Sequence, residues 1–282
     1  MSMKFRTIVN IPKADYEIPP CEKMLFVGSC FADNMGQRFK EEQFQVTVNP
    51  YGVMYNPISI YHTIEKLSAN MVFNVAILTL GTNHIYVLKE TNEVVDNCAK
   101  RPQSLFREEQ LTVDDCADSL MKSVRLLREG NPDIKVILTV SPIRYAKYGF
   151  HGSQLSKATL LLAVEKVMKT APLPENIMYF PAYEIVNDEL RDYRFYKEDM
   201  LHPSEQAVEY IYERFAETFF GKETLQFLKE WKPIKEALAH RPFHPESQEY
   251  LNFVKRTQQL IHDLSQKYPS LPNEIKNKEF AT

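Results

Sequence analysis

The chain has 282 residues, 44% of them hydrophobic, and a formal net charge of −3, which suits one large packed domain or one domain with an appendage. The charge gives no basic footprint for nucleic acid, and no apolar run approaches a membrane span. The start, Met1-Ser2-Met3-Lys4-Phe5-Arg6, lacks the apolar core and small-residue cleavage site of a signal peptide, so a cytoplasmic protein is expected.

Residues 1–20 carry Pro12, Pro19 and Pro20 and read as an extended arm. Strands are expected at Met24–Val27, Gln45–Val48, Val75–Leu80, Lys135–Val140 and Ile177–Phe180, where short apolar or β-branched runs end at turn residues. Helix-period stretches lie between them at Asp33–Lys40, Ile58–Ser68, Val113–Arg128 and Gln154–Lys169. Strands alternating with helices predict an α/β fold, a parallel sheet with helices on both faces. In such sheets ligands bind outside the carboxyl ends of the strands. Gly28-Ser29, Gly81-Thr82-Asn83 and Ser141-Pro142 all follow such ends. Val208, Ile211, Tyr212, Phe215 and Phe219 recur at helical spacing over 203–220. Beyond Gly221 two further helices are expected, then a loose polar tail after Tyr268. The organisation predicted is a main domain over 1–220 and a helical extension with its tail over 221–282.

Two motifs carry chemistry. Gly28-Ser29-Cys30-Phe31-Ala32 puts a small nucleophile at the exit of the first strand, where helix-start N–H groups can face a developing negative charge. A serine hydroxyl needs a base within reach, and a histidine base needs a group to fix its tautomer. Asp199 and His202, three residues apart at a helix start, supply both from one corner. Ser29 also suits a plain helix cap. Cys30 is a second candidate nucleophile, since a thiol at a helix start is activated, although a free cysteine beside Phe31 is more often turned into the core.

With these residues the chain resembles the GSCFA family, similar to the SGNH (GDSL-like) hydrolases. Further segments resemble it too: Asn49-Pro50-Tyr51-Gly52, Tyr55-Asn56-Pro57, Leu80-Gly81-Thr82-Asn83, Asn97-Cys98, Ser141-Pro142-Ile143-Arg144 and Asp199-Met200-Leu201-His202-Pro203, within roughly residues 20–220. The resemblance implies a flavodoxin-like three-layer α/β/α sandwich with a central parallel sheet. It also implies a catalytic triad of Ser29 as serine nucleophile, His202 as base and Asp199 as its orienting acid. The oxyanion hole it implies is the Ser29 N–H, a glycine N–H and an asparagine side chain. Asn83 matches the last, and Gly52, on the loop after the second apolar segment, is the glycine chosen. Gly-Ser-Cys stands here where most SGNH enzymes have Gly-Asp-Ser. The α/β-hydrolase fold is disfavoured, because G-x-S-x-G is missing.

His84, beside Asn83, and Arg144, past a strand exit, are candidate substrate contacts. Cys21, Cys30, Cys98 and Cys116 show no C-x-x-C pairing, so neither a disulfide framework nor a metal site is expected, and no cofactor is required. The activity expected is an esterase or acyl hydrolase acting on an acylated small molecule or carbohydrate. Two rival readings are an acyltransferase built on the same site and a non-catalytic binding or scaffold protein that keeps the fold.

Overall fold

The computed structural model describes residues 5–67, 72–98, 101–170 and 176–276. The expected apolar runs form strands β1 Lys23–Gly28, β2 Gln45–Val48 and β3 Val75–Leu80, and a smaller sheet follows in β4 His84–Leu88, β5 Val94–Val95 and β6 Phe106–Gln110. The last two strands are β7 Lys135–Val140 and β8 Ile177–Tyr179. The helices are α1 Cys30–Glu41, α2 Pro57–Glu65, α3 Val113–Gly130, α4 Gly149–Lys169, α5 Ala182–Glu184, α6 Glu205–Phe219, α7 Lys222–Ala239, α8 Gln248–Lys267 and α9 Asn273–Lys276. The main sheet is five-stranded, in the order β2-β1-β3-β7-β8, and every pairing is parallel.

Alternation along the strands builds three layers. Leu25, Val27, Leu78, Val136 and Leu138 face α2, α3 and α4 through Ile60, Leu120, Val124, Leu160 and Val164. Met24, Phe26, Val75, Ile77 and Ile137 face α1 and α6 through Phe31, Met35, Phe39, Ile211 and Phe215. Phe39 stands edge-on to Tyr212 and Phe215 at centroid distances of 5.1 and 5.2 Å. Helix α1 therefore covers one face and α2 the other, and the winding reverses between β1 and β3. That is the switch point where an α/β sheet opens a crevice at its carboxyl edge.

Three features depart from expectation. Strands β4, β5 and β6 form the small antiparallel sheet, in the order β5-β4-β6, where no strand is predicted. Helix α1 begins at Cys30 rather than Asp33, because Ser29 caps it. The segment after Tyr268 is not loose as far as Lys276: Tyr268 and Leu271 are buried with Cys21, Phe227, Trp231 and Ile261, and α9 follows. The indole N–H of Trp231 donates to the Glu41 carbonyl at 2.9 Å, tying α7 to the end of α1. The expected end of the second helix, Ser68, lies outside the described residues, as do residues 1–4 of the arm and 277–282 of the tail. Among the described residues, no helix is long and apolar enough to cross a membrane.

Candidate active site

The first half of the site is set by a glycine. Gly28 ends β1 opposite Thr79 of β3 with φ +146°. A Cβ there would collide with the Thr79 carbonyl oxygen and hydroxyl. The close approach lets β1 turn straight into α1, with Ser29 as N-cap and Cys30 as the first helical residue.

One residue of difference decides which side chain faces outward. Ser29 is fully buried. Its Oγ accepts the Phe31 N–H at 3.3 Å, and its own N–H donates to the Thr79 carbonyl at 3.2 Å. Both groups are thus spent on the cap and the sheet. Cys30, about 100° further round the helix, lines a cavity of about 530 Å³ together with Tyr55, Thr82, Tyr145, Leu201 and His202. Burial pushes the Cys30 thiol above its ordinary value, while a hydrogen bond with the Tyr55 hydroxyl pulls the other way.

The second half is a tight corner before α6. The Asp199 carboxylate accepts the Leu201 N–H at 2.9 Å, the His202 N–H at 3.0 Å and the His202 Nδ1 at 2.6 Å. These bonds, the backbone ones first, hold its carboxyl well below the usual carboxylate range. With Nδ1 bound to Asp199, Nε2 is the imidazole's remaining nitrogen for proton transfer. Met200 completes the turn at φ 56°, a rare conformation for a side chain of its size. The Arg144 N–H donates to the Leu201 carbonyl at 3.1 Å and its guanidinium to the Met200 carbonyl at 3.0 Å, which fastens the corner to the exit of β7.

The other expected site residues divide. His84 and Arg144 line the cavity. The His84 ring stacks on Tyr148 at 3.6 Å, and its Nδ1 is 3.1 Å from Glu108. Burial lowers the pKa of His84, and Glu108 opposes that. Gly52 and Asn83 are not among the lining residues. The Gly52 N–H is spent in a turn on the Asn49 carbonyl at 2.8 Å, and the Asn83 amide donates to the Leu111 carbonyl at 2.8 Å. The Ser29 N–H, the Gly52 N–H and one N–H of the Asn83 amide thus each have an internal acceptor. The far wall comes from the small sheet and its loops, with Tyr86, Asp96, Arg101, Gln103 and Phe106. Among the described residues, no cluster of three or more histidine, cysteine or acidic side chains fits a metal.

Aligned with Gly-Asp-Ser, the third residue of Gly28-Ser29-Cys30 is the cysteine, and it is Cys30 rather than Ser29 that lines the cavity.

Lys157 is 1% exposed and donates to the carbonyls of Gly81 at 2.6 Å and Ser141 at 2.7 Å. It pins the exits of β3 and β7 together. Burial pulls its pKa down to about 7, and a neutral amine still serves both carbonyls. Between about pH 7 and the ordinary lysine value, the unfolded chain binds a proton that the folded one lacks, so stability rises with pH across that window. A slope approaching roughly 1.4 kcal/mol per pH unit is expected from this group. Lys157→Met should remove it. Urea midpoints at pH 7.5 and 9 check this, and equal pH slopes in the two proteins would contradict it.

The profile of the GSCFA family matches residues 23–76 and 68–215, and that of the GSCFA domain protein, C-terminal domain, matches residues 231–279. No curated protein matches the chain. Among solved structures, a carbohydrate esterase family 3 protein from Talaromyces cellulolyticus is 12% identical, with a TM-score of 0.42 over 74% of this chain and 99% of that one. A family 3 carbohydrate esterase from Clostridium thermocellum is also 12% identical, with a TM-score of 0.41 over 77% of this chain and 99% of that one.

Proposed function

The chain belongs to the GSCFA family, and from that premise we propose that it is an acyl hydrolase of the SGNH type in which Cys30, rather than Ser29, is the nucleophile. The observation that carries the reading is the shared cavity. Cys30 and His202 line it together, and Asp199 holds the far nitrogen of His202 at 2.6 Å.

The chemistry runs in two halves. His202 Nε2 takes the thiol proton as Cys30 Sγ bonds to the acyl carbon, and the carbonyl π pair moves onto oxygen. When that pair returns, the ester C–O bond breaks and His202 gives its proton to the leaving alkoxide, releasing an alcohol and leaving a thioester. Water then loses a proton to His202 and adds its oxygen to the same carbon. The C–S bond breaks, the sulfur recovers the proton, and a carboxylic acid leaves. Asp199 stabilises the imidazolium in each half. The raised thiol pKa means that the resting group is a thiol needing this base, not a free thiolate.

The substrate class we propose is an acylated small molecule or carbohydrate. Its support is the size of the cavity and a lining that mixes aromatic rings with Asn56, Asp96, Arg101 and Gln103, groups that suit the faces and hydroxyls of a polyol. A sugar hydroxyl in place of water would make the same site an acyltransferase.

The test is turnover of p-nitrophenyl acetate and acetylated sugars by the wild type, His202→Ala and Asp199→Asn. Loss of the base should lower kcat/KM by about 10³-fold, with a smaller loss for Asp199→Asn. Turnover that is indifferent to both substitutions would remove the dyad from the mechanism.

A further inference from the structure

The chain as a whole carries a net charge of −3, yet the cavity wall is charged the other way. Its two histidines aside, the charged side chains lining it among the described residues are Arg101, Arg144 and Lys147 against a single acid, Asp96. Resting on the acyl-transfer reading above, we propose that the acylated substrate carries an anionic group, a carboxylate or a phosphate, and that Arg101 holds it.

The positive charge on the wall is not cancelled from within. Both oxygens of Asp96 are already taken, Oδ1 by the His62 Nδ1 at 2.6 Å and Oδ2 by the Lys66 ammonium at 2.7 Å. Lys147 has its own carboxylate in Glu108, 2.9 Å away. The two arginines differ. Arg144 donates to the Met200 carbonyl and lies over the Phe150 and Tyr196 rings, 4.2 and 5.4 Å from their centroids. Arg101 Nε donates to the Cys98 carbonyl at 3.3 Å, and its guanidinium lies 4.9 Å from the centroid of Phe106, another lining residue. None of these partners is negatively charged.

Stacking occupies the flat face of a guanidinium and leaves its N–H edge, a fork that matches the oxygens of a carboxylate or phosphate. Arg144 is tied to the corner that carries His202, where the ester bond must lie. Arg101 belongs to the opposite wall, built by the small sheet and its loops, and spends only Nε on the protein. It is therefore the cation placed for a part of the substrate away from the reacting carbonyl. A cleft lined by uncompensated positive charge also raises the local concentration of an anion.

The experiment uses the intact protein and three acetylated sugars that differ only in charge: acetyl-glucose, acetyl-glucuronate and acetyl-glucose 6-phosphate. Wild-type kcat/KM should favour at least one charged ester over acetyl-glucose by about 10- to 100-fold, and the favoured one identifies the anion as carboxylate or phosphate. Arg101→Gln should erase that preference through KM, with kcat for the charged ester within about threefold, because the contact is made equally in the ground and transition states. Added salt should shrink the preference in the wild type and leave the Arg101→Gln ratio level. A wild type that prefers acetyl-glucose, or a preference that survives in Arg101→Gln, would overturn the proposal. Calorimetric titration with unacetylated glucose, glucuronate and glucose 6-phosphate needs no turnover and keeps two failures apart. Charged sugars that bind tighter than glucose only while Arg101 is present, with no ester hydrolysed, would sink the acyl-transfer reading and leave the anion site standing. Esters that are hydrolysed while glucose binds as well as both charged sugars would sink the anion site alone.

Discussion

Cys30→Ala is expected to lose at least about 10³-fold in acyl-ester turnover, while Ser29→Ala stays within about tenfold of the wild type. The two residues are neighbours, and the contrast follows from what each already does. Ser29 is spent as the cap of α1 and as a sheet donor, so its loss should appear mainly as roughly 1 kcal/mol of stability. Cys30 lines the cavity that His202 also lines. Cys30→Ser restores a hydroxyl at that place and should retain more activity than Cys30→Ala, since His202 can serve either group. Alkylation supplies a second check. With its thiol pushed up by burial, Cys30 should react slowly with iodoacetamide at neutral pH and faster as the pH rises. Equal activity of Cys30→Ala and the wild type, with Ser29→Ala dead, would restore the serine to the central role.

Gly28→Ala is expected to abolish stable folding, with a loss of roughly 3 kcal/mol or more. Two independent costs fall on one methyl group. The backbone holds φ +146°, where an L side chain is strained. The new Cβ would also run into the carbonyl and hydroxyl of Thr79 on the neighbouring strand, and relief would require opening the β1–β3 pairing at the centre of the sheet. Urea unfolding followed by circular dichroism measures this, and a variant within about 1 kcal/mol of the wild type would contradict it. Gly130→Ala makes a control: no atom lies within 4 Å of a Cβ built there, so only a small effect is expected.

The central sheet was legible because its three middle strands are buried on both faces. Runs such as Lys135–Val140 announce themselves by β-branching and abrupt ends, and the expected boundaries agree with the structure within one or two residues. The small sheet was not legible. Its strands are short and partly exposed, and Phe106–Gln110 reads Phe-Arg-Glu-Glu-Gln with only its first residue apolar. That omission mattered, because the loops of this sheet wall the cavity.

The Asp199–His202 pair was readable because a three-residue spacing before a helix lets one carboxylate cap the turn and hold the ring at once. The donors were not. Asn83 sits just past a strand exit, as expected. Its amide, however, turns to the Leu111 carbonyl, a partner brought in by a segment 28 residues further on, which periodicity does not reveal. Lys157 carries no local motif at all, and its two carbonyl contacts are supplied only by the tertiary arrangement.

The most direct measurement is to trap the acyl-enzyme. The protein is mixed with p-nitrophenyl acetate, quenched in acid within the burst and digested, and the acylated side chain is located by mass spectrometry. The mechanism predicts a single acetyl group on Cys30, released by hydroxylamine as a thioester is and absent from His202→Ala. An acetyl group on Ser29, or none on the peptide that carries both residues while turnover proceeds, would contradict it.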